Sequence, residues 1–172
     1  MYLSLLSRPL MVLLLVNLML YSCNPNESDL NKNDSEKNVS AISIKQIVNT
    51  ENAPEALGPY NQSVRFGDMV FISGQIAIDS NTGMVMKELN IEEQSNLVLK
   101  NLQAILLAHG LSFEDVLKTT VFVTDMNDYS KFNAVYSKYF ENDFAPAREL
   151  VEVAALPAGV QVEISLIAGI TK

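Results

Sequence analysis

Apolar and polar positions along this chain keep two rhythms. Residues 42–49, "ISIKQIVN", alternate well enough to predict a first strand. Residues 63–78, "SVRFGDMVFISGQIAI", hold two β-forming runs around Gly67-Asp68, which reads as a hairpin. "DSNTGM" is a loop, with Gly83 available for a positive φ angle. The rhythm then changes. In "NIEEQSNLVLKNLQAILLAHG", Ile91, Val98, Leu102, Ile105 and Leu106 recur at spacings of three, four and seven, one buried face of a helix. Asn90 and Glu93 make a capping-box start, and Gly110 supplies the stop. "VLKTTVFVTDM" is β-branched and predicts a strand. "DYSKFNAVYSKYF" puts Tyr129, Phe132, Val135, Tyr136 and Tyr139 on a second helical face, capped by Asn127 or Asp128. "RELVEVAAL" and "VQVEISLIAGI" close the chain as two strands.

The order β-β-β-α-β-α-β-β predicts an α+β layer of about six strands, with two helices on one face of a largely antiparallel sheet. The other face must be polar or covered. Its makeup predicts that another subunit covers it.

The ends of the chain follow different rules. Residues 1–23 combine Arg8 with an apolar run from Leu10 to Leu20, interrupted only by Asn17. That run is shorter than the roughly 20 residues a membrane span needs, and it reads as a secretory signal. "LYSC" (Leu20 to Cys23) resembles a lipoprotein box, which makes Cys23 the expected lipid attachment site. Residues 24–41, "NPNESDLNKNDSEKNVSA", offer almost nothing to bury and predict a flexible tether. Residues 42–172 form the expected single domain. The location that follows is the cell envelope, lipid-anchored on the periplasmic or surface side.

Composition removes several chemistries. Cys23 is the only cysteine and His109 the only histidine, so thiolate or histidine metal sites and Ser-His or Cys-His catalysis lack support. His109 reads as a helix C-terminal cap favouring the dipole. The net charge of −8 repels phosphate backbones, so nucleic acid is a poor partner. No glycine pattern makes a dinucleotide or triphosphate cradle.

Alternation sorts the remaining polar residues. In the fifth strand Val151 and Val153 share a face, which puts Arg148, Leu150 and Glu152 on the other. In the sixth, Val160, Val162, Ile164 and Leu166 form the apolar stripe and leave Glu163 opposite. Arg148 and Glu163 are therefore expected to leave the core together and meet on the second face of the sheet. A guanidinium there suits two-pronged capture of a small carboxylate, and the Glu163 carboxylate suits water positioning. A solvated ion pair accounts for the same pattern. Likewise Tyr60 in "GPY" reads equally as a packed turn ring, and Ser73 as a backbone-bonding hydroxyl. Asn133 sits mid-helix, where a polar partner would explain it.

Taken together, "ENAPEALGPYNQSVRFGDMVFISGQI", "VLKTTVFVTDMNDYSKFNAVY", "PARELVEVAALP" and "VEISLIA" resemble the Rid (YjgF) family of reactive-intermediate imine deaminases. The likeness spans nearly the whole domain but neither the leader nor the tether. It implies a chorismate-mutase-like α+β fold and a homotrimer with ligand clefts between subunits. It also implies hydrolysis of 2-imino acids or their enamine tautomers, such as 2-aminoacrylate, to 2-keto acids and ammonia, with no metal or organic cofactor. Carried over by position, Arg148 binds the substrate carboxylate and Glu163 orients the hydrolytic water. Tyr60, Ser73 and Gly74 line the cleft, with Gly74 leaving room for ligand, and Asn133 lies nearby. The family commonly reads P-A-R-S-C where this chain has Glu149-Leu150 after Arg148. Leu150 still offers a carbonyl to the water, while Glu149 would compete for Arg148 if it curled back. The competing reading is a non-catalytic envelope trimer that binds small carboxylates or a protein partner. A nuclease, an activity attributed to some relatives, fits poorly with the acidic balance.

Overall fold

The computed structural model describes residues 44–140 and 142–170. The proposed leader, the tether and Cys23 lie outside the described residues. Strands β1 (Lys45–Val48), β2 (Ser63–Phe66) and β3 (Met69–Gln75) come first. Helix α1 (Ile91–Ala108), strand β4 (Val116–Val123), helix α2 (Tyr129–Tyr136), and strands β5 (Ala147–Glu152) and β6 (Val162–Gly169) follow. This is the element order the periodicity predicts.

Among the described residues the strands form one mixed sheet, ordered β1-β2-β3-β6-β4-β5. Every neighbouring pair is antiparallel except β4 and β5, which run parallel with α2 in their connection. A parallel pair cannot be closed by a tight turn, which is why a helix intervenes there. The β2–β3 hairpin turns at Gly67, whose φ of 62° an L side chain resists.

Helix α1 begins as its residues dictate. The Asn90 side chain accepts from the Glu93 amide at 2.9 Å, and the Glu93 carboxylate accepts from the Asn90 amide at 3.1 Å. Gly110, with φ of 71°, ends it. Ile91, Val98, Leu99, Leu102, Ile105 and Leu106 are buried. They pack on one sheet face against Val70 and Ile72 of β3, Val121 and Val123 of β4, and Val162, Ile164 and Leu166 of β6. Helix α2 adds Phe132, Val135 and Tyr136 to the same layer.

Two local expectations change. Asp128 precedes α2, but its carboxylate takes Lys131 Nζ at 2.8 Å and makes no cap. The capping carboxylate is Asp125, which accepts from the Asn127 amide at 2.8 Å and starts a 3-10 turn (Met126–Asp128) ahead of the helix. His109 takes the C-cap position as expected, its amide donating to the Leu106 carbonyl at 2.9 Å, but its ring bonds to β2 rather than serving the helix dipole. Ser63 gives its hydroxyl proton to the Val48 carbonyl, so His109 Nε2–H donates to Ser63 Oγ at 2.8 Å. Burial, and then nearby Arg65, push the imidazole pKa down and favour its neutral form.

Among the described residues nothing covers the opposite sheet face. Ile47, Phe66, Phe71 and Val151 project from it and are all exposed. An apolar patch of this kind marks an interaction surface.

Leu102 and Leu107 share one helix but face opposite ways, the first fully buried and the second 64 % exposed. Leu102→Ala is expected to lower unfolding free energy by about 2–5 kcal/mol, whereas Leu107→Ala stays within about 0.5 kcal/mol. Denaturant titration of both variants checks this.

Candidate functional site

Strand pairing decides which polar residues share a face. Arg148 lies opposite Thr119 of β4, and Thr119 is fully buried under the helices. Leu150, two residues on, lies opposite buried Val121 and packs against the core. Arg148 and Leu150 therefore occupy the helix-covered face, while Glu149 and Val151 occupy the open one. This reverses the expected orientation of β5. Glu163 is opposite Phe122 and lies between buried Val162 and Ile164, so it stands on the open face. Within one chain Arg148 and Glu163 do not meet. They belong to two separate half-sites.

The first half-site is built by β5 and α2. Arg148 Nη1 donates to Asn133 Oδ1 at 2.8 Å, and Nη2 makes a long 3.5 Å contact with the Tyr129 hydroxyl. Its Cζ sits 4.7 Å from the centroid of the Tyr136 ring, a cation–π distance. The Tyr136 hydroxyl is held in turn by Thr119 Oγ1 at 2.8 Å. Burial raises the pKa of this phenol, against the opposing effects of the Thr119 bond and of Arg148. Asn133 thus has the polar partner its mid-helix position called for. Among the described residues no carboxylate pairs with Arg148. Glu149 does not compete for it. Across the sheet, Glu149 meets Lys118 Nζ at 3.0 Å and Thr120 Oγ1 at 3.0 Å, and the Lys118 bond leads in holding its pKa down.

The second half-site is a cleft of about 380 Å³ lined by Leu57, Tyr60, Ser73, Gly74, Ile76, Pro157 and Glu163. Its floor is a β-bulge. Ile72 pairs with Leu166 and Gln75 with Ile164, so Ser73 and Gly74 together oppose the single Ser165. Such an extra residue bends the strand and re-aims its side chains. Ser73 Oγ donates to the Asn61 carbonyl at 2.6 Å, and the Tyr60 hydroxyl accepts from the Leu57 amide at 3.1 Å. The backbone-bonding reading of Ser73 holds, the Tyr60 ring is exposed rather than packed away, and both residues border the cleft. Buried Gln62 fastens the segment before them, its amide donating to the carbonyls of Thr50, Ala53 and Pro54. On the far wall, Pro157 opens a turn in which Ala158 takes φ of 58°, a left-handed conformation unusual for a side-chain-bearing residue.

Glu163 dominates this cleft. Burial raises its carboxyl pKa above the ordinary value, with no donor side chain among the described residues to offset it. Gly74 has a reason different from the one expected. A Cβ at that position would run into the Glu163 carboxylate itself and stand 3.1 Å from its Cγ. The missing side chain makes room for the acid, and Gly74 also lines the cleft.

A six-stranded mixed sheet with two helices, a guanidinium seated on aromatic rings and a partly buried carboxylate over a bulge defines an α+β protein of the YjgF type. The endoribonuclease L-PSP family matches residues 50–170, and the chain belongs to it. A RutC family protein of Pyrococcus horikoshii is 48 % identical over 125 residues, covering 73 % of this chain and 98 % of that protein. The 2-iminobutanoate/2-iminopropanoate deaminase of Salmonella typhimurium is 46 % identical over 127 residues, covering 73 % and 98 %. The crystal structure of Escherichia coli TdcF with bound serine superposes with a TM-score of 0.68 at 44 % identity, covering 73 % of this chain and 99 % of that one.

Gly74→Ala is expected to leave the fold intact, because the atoms it displaces are the far end of a flexible side chain. The Glu163 carboxylate should swing toward water and its pKa fall back toward the ordinary range. Carbon-13 NMR titration of glutamate carboxyls in parent and variant reads this directly.

Proposed function

We propose that the chain is a hydrolytic deaminase of small 2-imino acids, and that its working site is assembled from two copies. The observation that carries this reading is the parity of the sheet. Arg148, which no carboxylate among the described residues pairs with, lies on one face, and Glu163, raised in pKa, lies on the other. A ligand touched by both must sit between copies. The exposed Ile47, Phe66, Phe71 and Val151 supply an apolar surface for that association. The similarity to a named 2-iminobutanoate/2-iminopropanoate deaminase supports the reaction class. A homotrimer is the assembly we infer, since it closes three equivalent sites.

In this mechanism Arg148 of one copy pairs with the substrate carboxylate and holds the protonated imine carbon in the cleft of the next. Tyr60, Ser73 and Gly74 border that carbon, Asn133 fixes the guanidinium, and the Leu150 carbonyl helps hold the water. Glu163 takes a proton from the attacking water as its oxygen bonds to carbon. The Glu163 proton is returned to the carbinolamine nitrogen, the C–N bond breaks to release ammonia, and the hydroxyl proton passes to that ammonia as the carbonyl forms. Protonated imine plus water gives 2-keto acid plus ammonium, with no redox change. The gain is positioning and charge pairing. Nuclease action is a poorer reading for a chain of net charge −8. Cys23, in the "LYSC" stretch, is the proposed lipid site, tethering the assembly to a cell-envelope membrane.

The test couples an amino-acid oxidase, which makes the imine in place, to the purified full chain in detergent. Imine decay should accelerate over the oxidase alone. Arg148→Lys is expected to lose about 10–100-fold, since an ammonium cannot reproduce the two-pronged contact. Glu163→Gln is expected to lose about 100–10,000-fold. Unaltered decay with the parent chain defeats the enzymatic reading and leaves a carboxylate-binding assembly.

The ionised form of Glu163 is the working one, and burial favours the protonated form. Activity should therefore fall as pH drops through a pKa above the usual 4.5. A pH–rate profile with its acid limb below that value contradicts the assignment.

Co-assembling Arg148→Ala chains with Glu163→Gln chains tests the shared site. Random mixed trimers should recover about one quarter of the parent sites. A site contained in one chain recovers none.

A further inference from the structure

We propose that Tyr129 is a second donor of the anion site built on Arg148, its phenol hydroxyl binding the carboxylate that the guanidinium holds. Tyr129 and Asn133 are one turn apart on α2 and present their polar ends to the same guanidinium. Asn133 Oδ1 closes on Nη1 at 2.8 Å, a full hydrogen bond. The Tyr129 hydroxyl stands 3.5 Å from Nη2, beyond the ordinary range for N–H···O.

Donor chemistry explains the difference. Arginine only donates, so the phenol oxygen can accept from Nη2 but its own proton must go elsewhere. Among the described residues that proton has no acceptor, and neither do the remaining Arg148 N–H groups. The two adjacent donors stand at the exposed side of a ring that is 43 % exposed, where an incoming acceptor can reach both. An anionic oxygen within reach of both would satisfy them together. The ring meanwhile stays beside the guanidinium, with Cζ over it at 6.0 Å from its centroid. Contact and hydrogen bonding therefore belong to different parts of the same side chain, and Tyr129→Phe removes only the second.

This inference rests on Arg148 being the carboxylate site. It adds that the site recognises the anion through a neutral donor besides the charged one. That bond is equally strong in the ground and transition states, because the carboxylate does not react. Its loss should weaken binding and leave turnover nearly unchanged.

The experiment is calorimetric titration of the full chain in detergent with 2-oxobutanoate and with its uncharged amide, 2-oxobutanamide. Tyr129→Phe should raise the dissociation constant for 2-oxobutanoate roughly tenfold and that for the amide by much less. Its kcat for imine hydrolysis should stay within about twofold of the parent value while KM rises. Equal 2-oxobutanoate affinity in parent and variant overturns the role of Tyr129 and leaves Arg148 as the anion site. Failure of the parent chain to bind 2-oxobutanoate overturns that site, and the role of Tyr129 with it. A fall in kcat with KM unchanged also overturns it, since that is the signature of a reacting-centre or structural role.

Discussion

The period of two along a β-strand governs this molecule more than any single bond. Thr119 and Val121 of β4 point under the helices, while Thr120 and Phe122 point away. Strands β5 and β6 flank β4 and inherit that parity through their pairing. Arg148 consequently joins the helix layer and Glu163 the open layer. No side-chain rotation can bring them round the sheet. In the proposed function one ligand reaches both only between copies, and the apolar open face offers such an association a driving force.

The two half-sites are held by different means. Arg148 is fixed by bonding and ring contacts, with Asn133 at one amino group and Tyr136 beneath the plane. Tyr136 is itself anchored to Thr119 within the core. The charge is therefore immobilised without being neutralised. Glu163 is fixed by shape. The bulge at Ser73 and Gly74 clears a space for it, and partial burial makes its ionised form costly. One half-site keeps a cation available, and the other keeps an acid ready to change its protonation. Pairing Glu149 with Lys118 on the open face keeps the neighbouring carboxylate out of both.

Much of the scaffold was legible from residue patterns. The capping box at Asn90, the glycine stop at Gly110 and the turn at Gly67 are local chemistry, and they appear where the residues place them. The buried stripe of β6 is a strict alternation and reads correctly. Strand β5 does not. "RELVEV" offers Leu150 on one side and Val151 on the other, so alternation yields two sets without saying which is inward. The parallel pairing with β4 decides, together with the ring that receives Arg148. Asp125 was missed because its cap serves a 3-10 turn that periodicity does not reveal. The bulge was missed because "ISGQ" carries no sign that two residues will face one. Tyr129 was counted as part of an apolar face, and only the position of its hydroxyl beside Nη2 separates it from its neighbours.

Gly74 and Glu163 also constrain how the chain finds its own alignment. Sliding β3 by one position along β6 would set Ser73 or Gln75 against the Glu163 side chain, which would have to leave its seat for water. The same slip would turn the buried row of each strand outward. The acid and the gap beneath it therefore fit like a tooth and notch, and that fit favours the register seen between the two central strands. A feature that shapes the cleft thus also helps to tell one strand alignment from another.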